Sequence, residues 1–414
     1  MARITRKFTR LLGPLAACAL VLGFTAPAPA PKISDADVIL VRLAGVAGAR
    51  AIQDSKWGMV GALQEAINAW APRCGLAPIA RDGFFGKATA AAAQAVAACR
   101  GARSELSGPH LTVETWQAVT GAPPPGALER ARILARSMEG TDYDELEWNV
   151  CTSWAGDRGS VLTWGPYGKT LGWGGEILAV LRRVDPSLVA DAFVQENAQG
   201  LDELLALKTK RELGVESQHA YPGARALMQR ICKRPGQMSA WRKAFARLGA
   251  HQEVRDAYEE VAWGDSAWFR YVVERLTRAW REAGLEPSEV DHAFFVDRSI
   301  HMGWGANRFA AVEAALAAAK ASDPERFGNA RARLAVAAAV TPKARPEDRA
   351  ARDAIFLIDA EEELAPLMGA AQGWPADWRA MWAQRAGISA ADLGLSDDRP
   401  APGFDDHLRA GEDA

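Results

Sequence analysis

Apolar residues recur at helical spacing through most of the chain. Between Gly58 and Trp70, the residues Val60, Leu63, Ile67 and Trp70 fall on one face of an amphipathic helix. A loop through Pro72, Cys74, Gly75 and Pro78 follows, then the turn formers Asp82-Gly83 and an Ala-rich helix that holds Thr89 in its first turn and runs to Cys99. Leu111 to Val119 reads as a third small helix, and Leu128, Ile133, Leu134 and Met138 mark a fourth that ends near Glu139. Further helices are expected over 176–183, 188–197, 201–208, 223–232, 237–248, 252–262 and 266–283, then from Ser288 to about Gly303, and over 306–320, 330–340, 350–363 and 378–385. Two stretches stand apart. Residues 33–53 mix apolar and polar positions and predict one short helix, whereas Thr163 to Gly175 is too rich in glycine for a helix and suits short strands or the wall of a cleft. The fold class expected is mainly α.

Composition agrees with that class, because alanine and leucine dominate and both favour helix. A chain of 414 residues, 49% of them hydrophobic, can bury a sizeable core and predicts two or three domains. Ala122-Pro123-Pro124-Pro125-Gly126 is a stiff linker between a small unit at 33–121 and a large one at 127–320, with a helical extension over 321–414. Residues 1–30 read as an export segment: Arg3, Arg6, Lys7 and Arg10 precede an apolar stretch from Leu11 to Phe24, and small residues with prolines follow. Leu15-Ala16-Ala17-Cys18 also has the form of a lipoprotein box, so cleavage and lipid anchoring both stand as expectations for a periplasmic, envelope or extracellular location. The formal charge of −2 and the lack of a basic stripe argue against a nucleic-acid binder. No phosphate-binding loop or metal-ligand spacing is present, so neither a cofactor nor a metal is expected, and the expected state is a monomer. Cys74, Cys99, Cys151 and Cys232 permit two disulfides in an exported chain. Pairing 74 with 99 would staple the small unit, and 151 with 232 would brace the large one; free buried thiols are the alternative.

Candidate chemistry concentrates in residues 138–163. Glu139 ends a helix, where the macrodipole disfavours negative charge and so favours the protonated acid. Asp157 lies in a Gly-Asp-Arg-Gly turn beside Arg158, a setting that keeps a carboxylate ionised. Two carboxyls driven apart in this way suit acid/base cleavage of a glycosidic bond. An acidic helix end followed by an ordinary turn is the bland reading. Asp142, Asp144, Glu145 and Glu147 would make a groove attractive to a cationic polymer, or a solvated loop with no role. Trp148, Trp154, Trp164 and Trp173 are dense enough that one or two are expected to stack on sugar rings.

Two resemblances extend this reading. Leu63-Gln64, the Asp82, Gly83, Phe85, Gly86 and Thr89 pattern, and Thr115-Trp116 resemble the three-helix peptidoglycan-binding domain of bacterial wall hydrolases over about residues 55–120. Residues 127 to about 320 resemble the chitosanases of glycoside hydrolase family 46 through Glu139, the Gly156-Asp157-Arg158-Gly159 turn with Thr163, and Phe294-Phe295-Val296-Asp297-Arg298-Ser299-Ile300-His301-Met302-Gly303. That resemblance implies a lysozyme-like α+β domain and an inverting mechanism. Glu139 would be the acid and Asp157 the base, with Thr163 placing the water and Arg158, Asp297 and His301 as orienting residues; ordinary salt-bridging within the turn is the alternative for Arg158, and a bracing role in the fold for Asp297 and His301. It implies an amino-sugar polysaccharide as partner, either chitosan or the glycan of peptidoglycan. A muramidase or lytic transglycosylase and a non-catalytic wall-binding protein are the competing functions.

Overall fold

The computed structural model describes residues 39–43, 52–102, 110–139, 141–151, 159–172, 175–214, 221–301, 304–340 and 388–403, together with residue 356. The small unit comprises β1 (Ile39–Arg42), β2 (Ile52–Gln53), α1 (Met59–Trp70), β3 (Phe84–Phe85), α2 (Lys87–Cys99), β4 (His110–Thr112) and α3 (Val113–Thr120). Antiparallel pairs join β1 to β4 and β2 to β3, with Ile52 opposite Phe85. The described parts of 33–53 are therefore strands, which corrects the helix expected there. Ile39, Leu40 and Val41 are buried, and their ladder partners lie some seventy positions along the chain.

Inside this unit α1 buries Val60, Leu63 and Ile67, the face that the periodicity predicts. The helix ends at Ala71-Pro72, and a short 3-10 turn closes on Gly75 with a left-handed φ of 67°. Thr112 caps α3 by accepting a hydrogen bond from the Thr115 amide at 3.1 Å. Cys74 and Cys99 form a disulfide, with Cα atoms 5.8 Å apart, that ties the end of α1 to the end of α2.

The large unit begins with α4 (Ala127–Glu139). A three-stranded antiparallel sheet follows, in the order β5 (Leu146–Glu147), β6 (Thr163–Trp164) and β7 (Lys169–Thr170). Then come α5 (Glu176–Leu181), α6 (Pro186–Gln195), α7 (Leu201–Leu205), α8 (Ala224–Cys232), α9 (Pro235–Ala250) and α10 (Gln252–Trp263). Further along lie α11 (Trp268–Glu282), α12 (Glu289–His301), α13 (Ala306–Ser322) and α14 (Asn329–Val340). The protein is mainly helical. At its centre, α12 is buried on every side from Glu289 to Ser299, and α4 lies along it. Beside it, α11 buries Phe269, Val272, Val273, Leu276, Ala279 and Trp280, a stripe at helical spacing. Each large apolar side chain so buried contributes roughly 1.5–3 kcal/mol. A second disulfide, Cys151 to Cys232 with Cα atoms 6.1 Å apart, joins the segment after β5 to the end of α8.

Residues 388–403 return across the molecule. Gly394, with φ 62°, lies so close to β1 that a β-carbon there would meet the Ile39 carbonyl oxygen at 1.8 Å. Beyond it, the Glu289 amide donates to the Arg399 carbonyl at 2.9 Å and the Ala401 amide to Pro287 at 2.8 Å. Arg333, fully buried on α14, holds Asp291 of α12 and Asp397 at 2.7 Å each. The helices expected over 350–363 and 378–385 lie outside the described residues.

Candidate active site

Two patterns overlap in α4. Leu128, Ile133, Leu134 and Met138 are buried against the core, and Arg130 and Arg136 are buried with them. Glu139 is the last residue of this helix. Thr141, just beyond, donates its hydroxyl to the Gly165 carbonyl at 2.7 Å. That bond ties the end of the helix to the end of β6, two residues past Thr163. The structure thus brings together the Glu139 end of α4, the strand carrying Thr163 and, along the flank of α4, the helix carrying Asp297.

Thr163 is half-buried on β6, opposite Glu147 and Thr170, and its Oγ1 accepts from Asn149 Nδ2 at 2.5 Å. Asp157, Arg158 and Trp154 lie outside the described residues, as does Trp173. The chain on either side of that segment is anchored. The Val150 amide donates to the Val161 carbonyl at 3.0 Å, Gly172 donates to Ser160 at 2.8 Å, and Cys151 is held by its disulfide. Val161 has a φ of 65°, a left-handed conformation that is strained for a β-branched residue, and it is buried.

Several expected roles change once burial is seen. Trp148 and Trp164 are 2% and 0% exposed, so neither presents a ring face to a sugar. Trp148 packs edge-on against Trp241; Trp164 packs against Phe245 and Tyr258 and donates its Nε1 hydrogen to the Tyr143 carbonyl at 2.6 Å. Asp297 is fully buried on α12 with its Oδ2 3.3 Å from Arg298 Nη2, whereas His301 is exposed at the end of that helix. Asp142 and Asp144 do not line an open acidic groove. Asp142 accepts from the Ser55 hydroxyl at 2.7 Å and the Lys56 amide at 3.0 Å, and Asp144 pairs with the Lys56 ammonium. Burial pushes the Asp142 carboxyl up. Glu145 and Glu147 remain exposed.

A buried ionic network underlies α4. Arg136 Nε lies 2.7 Å from Asp54 Oδ1, an ion pair, and its other nitrogens reach Glu129 at 2.5 Å and the Tyr167 hydroxyl at 2.9 Å. Tyr143 donates to Glu259 at 2.5 Å, and Tyr167 donates to the same carboxylate at 3.3 Å. Burial is the largest influence on both members of the Asp54–Arg136 pair. It pushes the Asp54 carboxyl up to about 6, because one cation does not offset it. Arg136 is instead held well above its ordinary value, since Asp54, Glu129, Tyr167 and Glu259 together outweigh the burial.

Sequence reasoning missed four features. Asp54, Ser55 and Lys56 are one; a polar run ahead of an amphipathic helix is a signal, but it reads equally as a helix cap. Asn149, which touches Thr163, left no signal. Lys169 is buried with its ammonium 3.4 Å from the centre of the Phe269 ring, and burial pushes it down to about 8. Trp268 and Tyr271, stacked with centroids 5.3 Å apart, are each more than two-fifths exposed, although the helical pattern alone places them simply on α11. Among the described residues no cluster of three His, Cys, Asp or Glu side chains could hold a metal ion. A separate cavity of about 420 Å³ lies between α6 and the α9–α10 junction, lined by Asp185, Asp191, Arg247, His251 and Glu253 among others. Comparisons with models of protein families, with curated proteins and with solved structures find no match to the chain.

Proposed function

We propose that the protein is an exported, endo-acting glycoside hydrolase that cleaves β-1,4-linked amino-sugar polymers with a pair of carboxyls. One observation carries the reading furthest. A helix ending on Glu139 is tied through Thr141 to the strand that bears Thr163, and that strand leads directly out of the segment holding Asp157. The sequence resemblance to family 46 chitosanases assigns chemistry to those three positions. In this mechanism Glu139 donates a proton to the glycosidic oxygen as the bond from the anomeric carbon breaks. Asp157 accepts a proton from the water whose oxygen bonds to that carbon from the opposite face, and Thr163 orients the water. With Trp148 and Trp164 in the core, sugar stacking falls to other groups.

Chitosan is the substrate that the resemblance favours. The pairing of Asp142 and Asp144 with Ser55 and Lys56 supports a second reading, a hydrolase of the peptidoglycan glycan, because it leaves fewer free carboxylates to attract a cationic chain. Sugar release by the mature protein from chitosan and peptidoglycan in parallel, with Glu139→Gln and Asp157→Asn variants, tests both. Glucosamine oligomers lost in both variants support the chitosanase reading. Muropeptides lost in Glu139→Gln but kept in Asp157→Asn move the protein to the muramidases or transglycosylases. Binding to wall material with no release from either polymer ends the catalytic reading.

A further inference from the structure

We infer that Asp54, Ser55 and Lys56, on the small N-terminal unit, are positioning residues for Glu139; this rests on the reading of Glu139 as the acid. The contacts fall on both sides of that residue in the chain. On its N-terminal side, Arg136 is paired with Asp54, and the Ser137 hydroxyl donates to the Gln53 carbonyl at 2.6 Å. On its C-terminal side, Ser55 and the Lys56 amide hold Asp142, the Lys56 ammonium holds Asp144, and Trp57 packs edge-on against Tyr143 with centroids 6.0 Å apart. Five consecutive residues of one unit, Gln53 to Trp57, thus grip the sequence flanking Glu139 at 136–137 and again at 142–144.

The grip is itself fixed from behind. Asp54 Oδ2 accepts from the Val60 amide at 3.0 Å, and the Asp54 amide donates to the Gly83 carbonyl at 2.8 Å. Gly83 has a φ of 74°, and a β-carbon there would come within 2.4 Å of the Asp54 carbonyl oxygen. Gly61 leaves the same kind of room for the Lys56 backbone. The turn at Asp82-Gly83 is locked in turn by Gln64, whose side-chain Oε1 accepts from both backbone amides at 3.1 and 2.9 Å while its Nε2 donates to Asp82 Oδ1, the Phe84 carbonyl and Thr89 Oγ1. The residues that resemble a wall-binding motif therefore brace the segment gripping the catalytic helix. A binding module tethered only by its linker would make none of the bonds to Arg136, Ser137, Asp142 and Asp144.

Turnover of whichever polymer the wild-type protein cleaves is the test, in full-length Ser55→Ala, Asp54→Asn, Ser55→Thr and Asn68→Ala variants. Ser55→Ala removes a single hydroxyl and keeps the ion pairs, so it loses less stability than Asp54→Asn. Loss of alignment at the reacting centre lowers kcat by about tenfold in Ser55→Ala with KM within about twofold of wild type. Backbone hydrogen exchange quickens over 141–147, and Ser55→Thr restores both readouts. Asn68 braces the backbone of Ile79 at the other end of α1, so Asn68→Ala lowers the melting temperature and leaves kcat unchanged. Activity lost in Glu139→Gln but intact in Ser55→Ala and Asp54→Asn overturns the proposal alone, as does an equal loss of kcat in Asn68→Ala. Full activity in Glu139→Gln, or no turnover by the wild type, overturns the reading of Glu139 and the proposal with it.

Discussion

Replacing Arg136 by methionine removes a cation while keeping a long side chain in the core. Arg136 is 4% exposed and faces Asp54, Glu129 and Tyr167. The substitution leaves Asp54, which is wholly buried, as a charge without its cation; removing one partner of a buried pair costs about 3–5 kcal/mol. The pH dependence follows from the same geometry. Burial already holds the Asp54 carboxyl up at about 6 against the lowering effect of Arg136, and in Arg136→Met it rises further. A carboxyl whose folded pKa exceeds its unfolded value contributes its full stability below the unfolded pKa, about 4, and loses it as pH rises through the folded one. The deficit of Arg136→Met is therefore largest at pH 8 and smallest at pH 5. Adding Asp54→Asn neutralises the stranded charge and restores about 1–3 kcal/mol at pH 8. Urea unfolding followed by tryptophan fluorescence, on both single variants and the double at the two pH values, measures these terms. A deficit under about 1 kcal/mol, a deficit that grows toward acid, or strictly additive costs in the double variant would refute the reasoning.

Three further outcomes are expected. Gly83→Ala meets both a left-handed φ and a 2.4 Å approach to the Asp54 backbone, so it costs at least about 2 kcal/mol in thermal unfolding, whereas Gly75→Ala, with open space around it, costs about 1. Lys169, pushed down to about 8 by burial, contributes its full stability only above its unfolded pKa and loses it as pH falls through 8. Lys169→Met should accordingly flatten the stability profile between pH 7 and 10, which chemical denaturation at those values would reveal. Removing the Cys151–Cys232 bridge, with a sequence separation of 81, is expected to cost more than removing Cys74–Cys99, with 25. Chain-entropy scaling gives about 4.5 against about 3.5 kcal/mol, readable from melting temperatures of the paired alanine variants.

Local pattern made the helices legible. The stripes in α1, α9, α10 and α11, and the helix ending at Glu139, lie where the apolar periodicity and turn residues place them. The two cysteine pairings are one option that the sequence leaves open beside free thiols, and the structure forms both. What escaped depends on distant partners. Ile39 to Val41 become a strand only because Leu111 and Thr112 supply the ladder, and nothing near residue 40 signals that. Trp148 and Trp164 carry the same composition whether they face a sugar or a core; Trp241, Phe245 and Tyr258, some eighty to a hundred positions on, decide the matter. Asp142 and Asp144 look like free charges until Ser55 and Lys56 are brought against them. At the candidate site, the helix end singles out Glu139 and the family resemblance Thr163, but their closeness through Thr141 and Gly165 is a property of the fold.

The return of residues 388–403 to β1 and α12 also sets a timetable. Arg333 leaves the ribosome well before Asp397, and until that carboxylate arrives its guanidinium has one fewer acidic partner inside the core. β1 likewise waits for the backbone around Gly394 to cover it. The closure of β1 against Gly394 thus joins segments synthesised hundreds of residues apart, and contacts of that kind form slowly. On the export proposed above, late closure would be an advantage: a chain threaded through a translocation pore would stay open until its last segment arrives and would settle into its final packing on the far side.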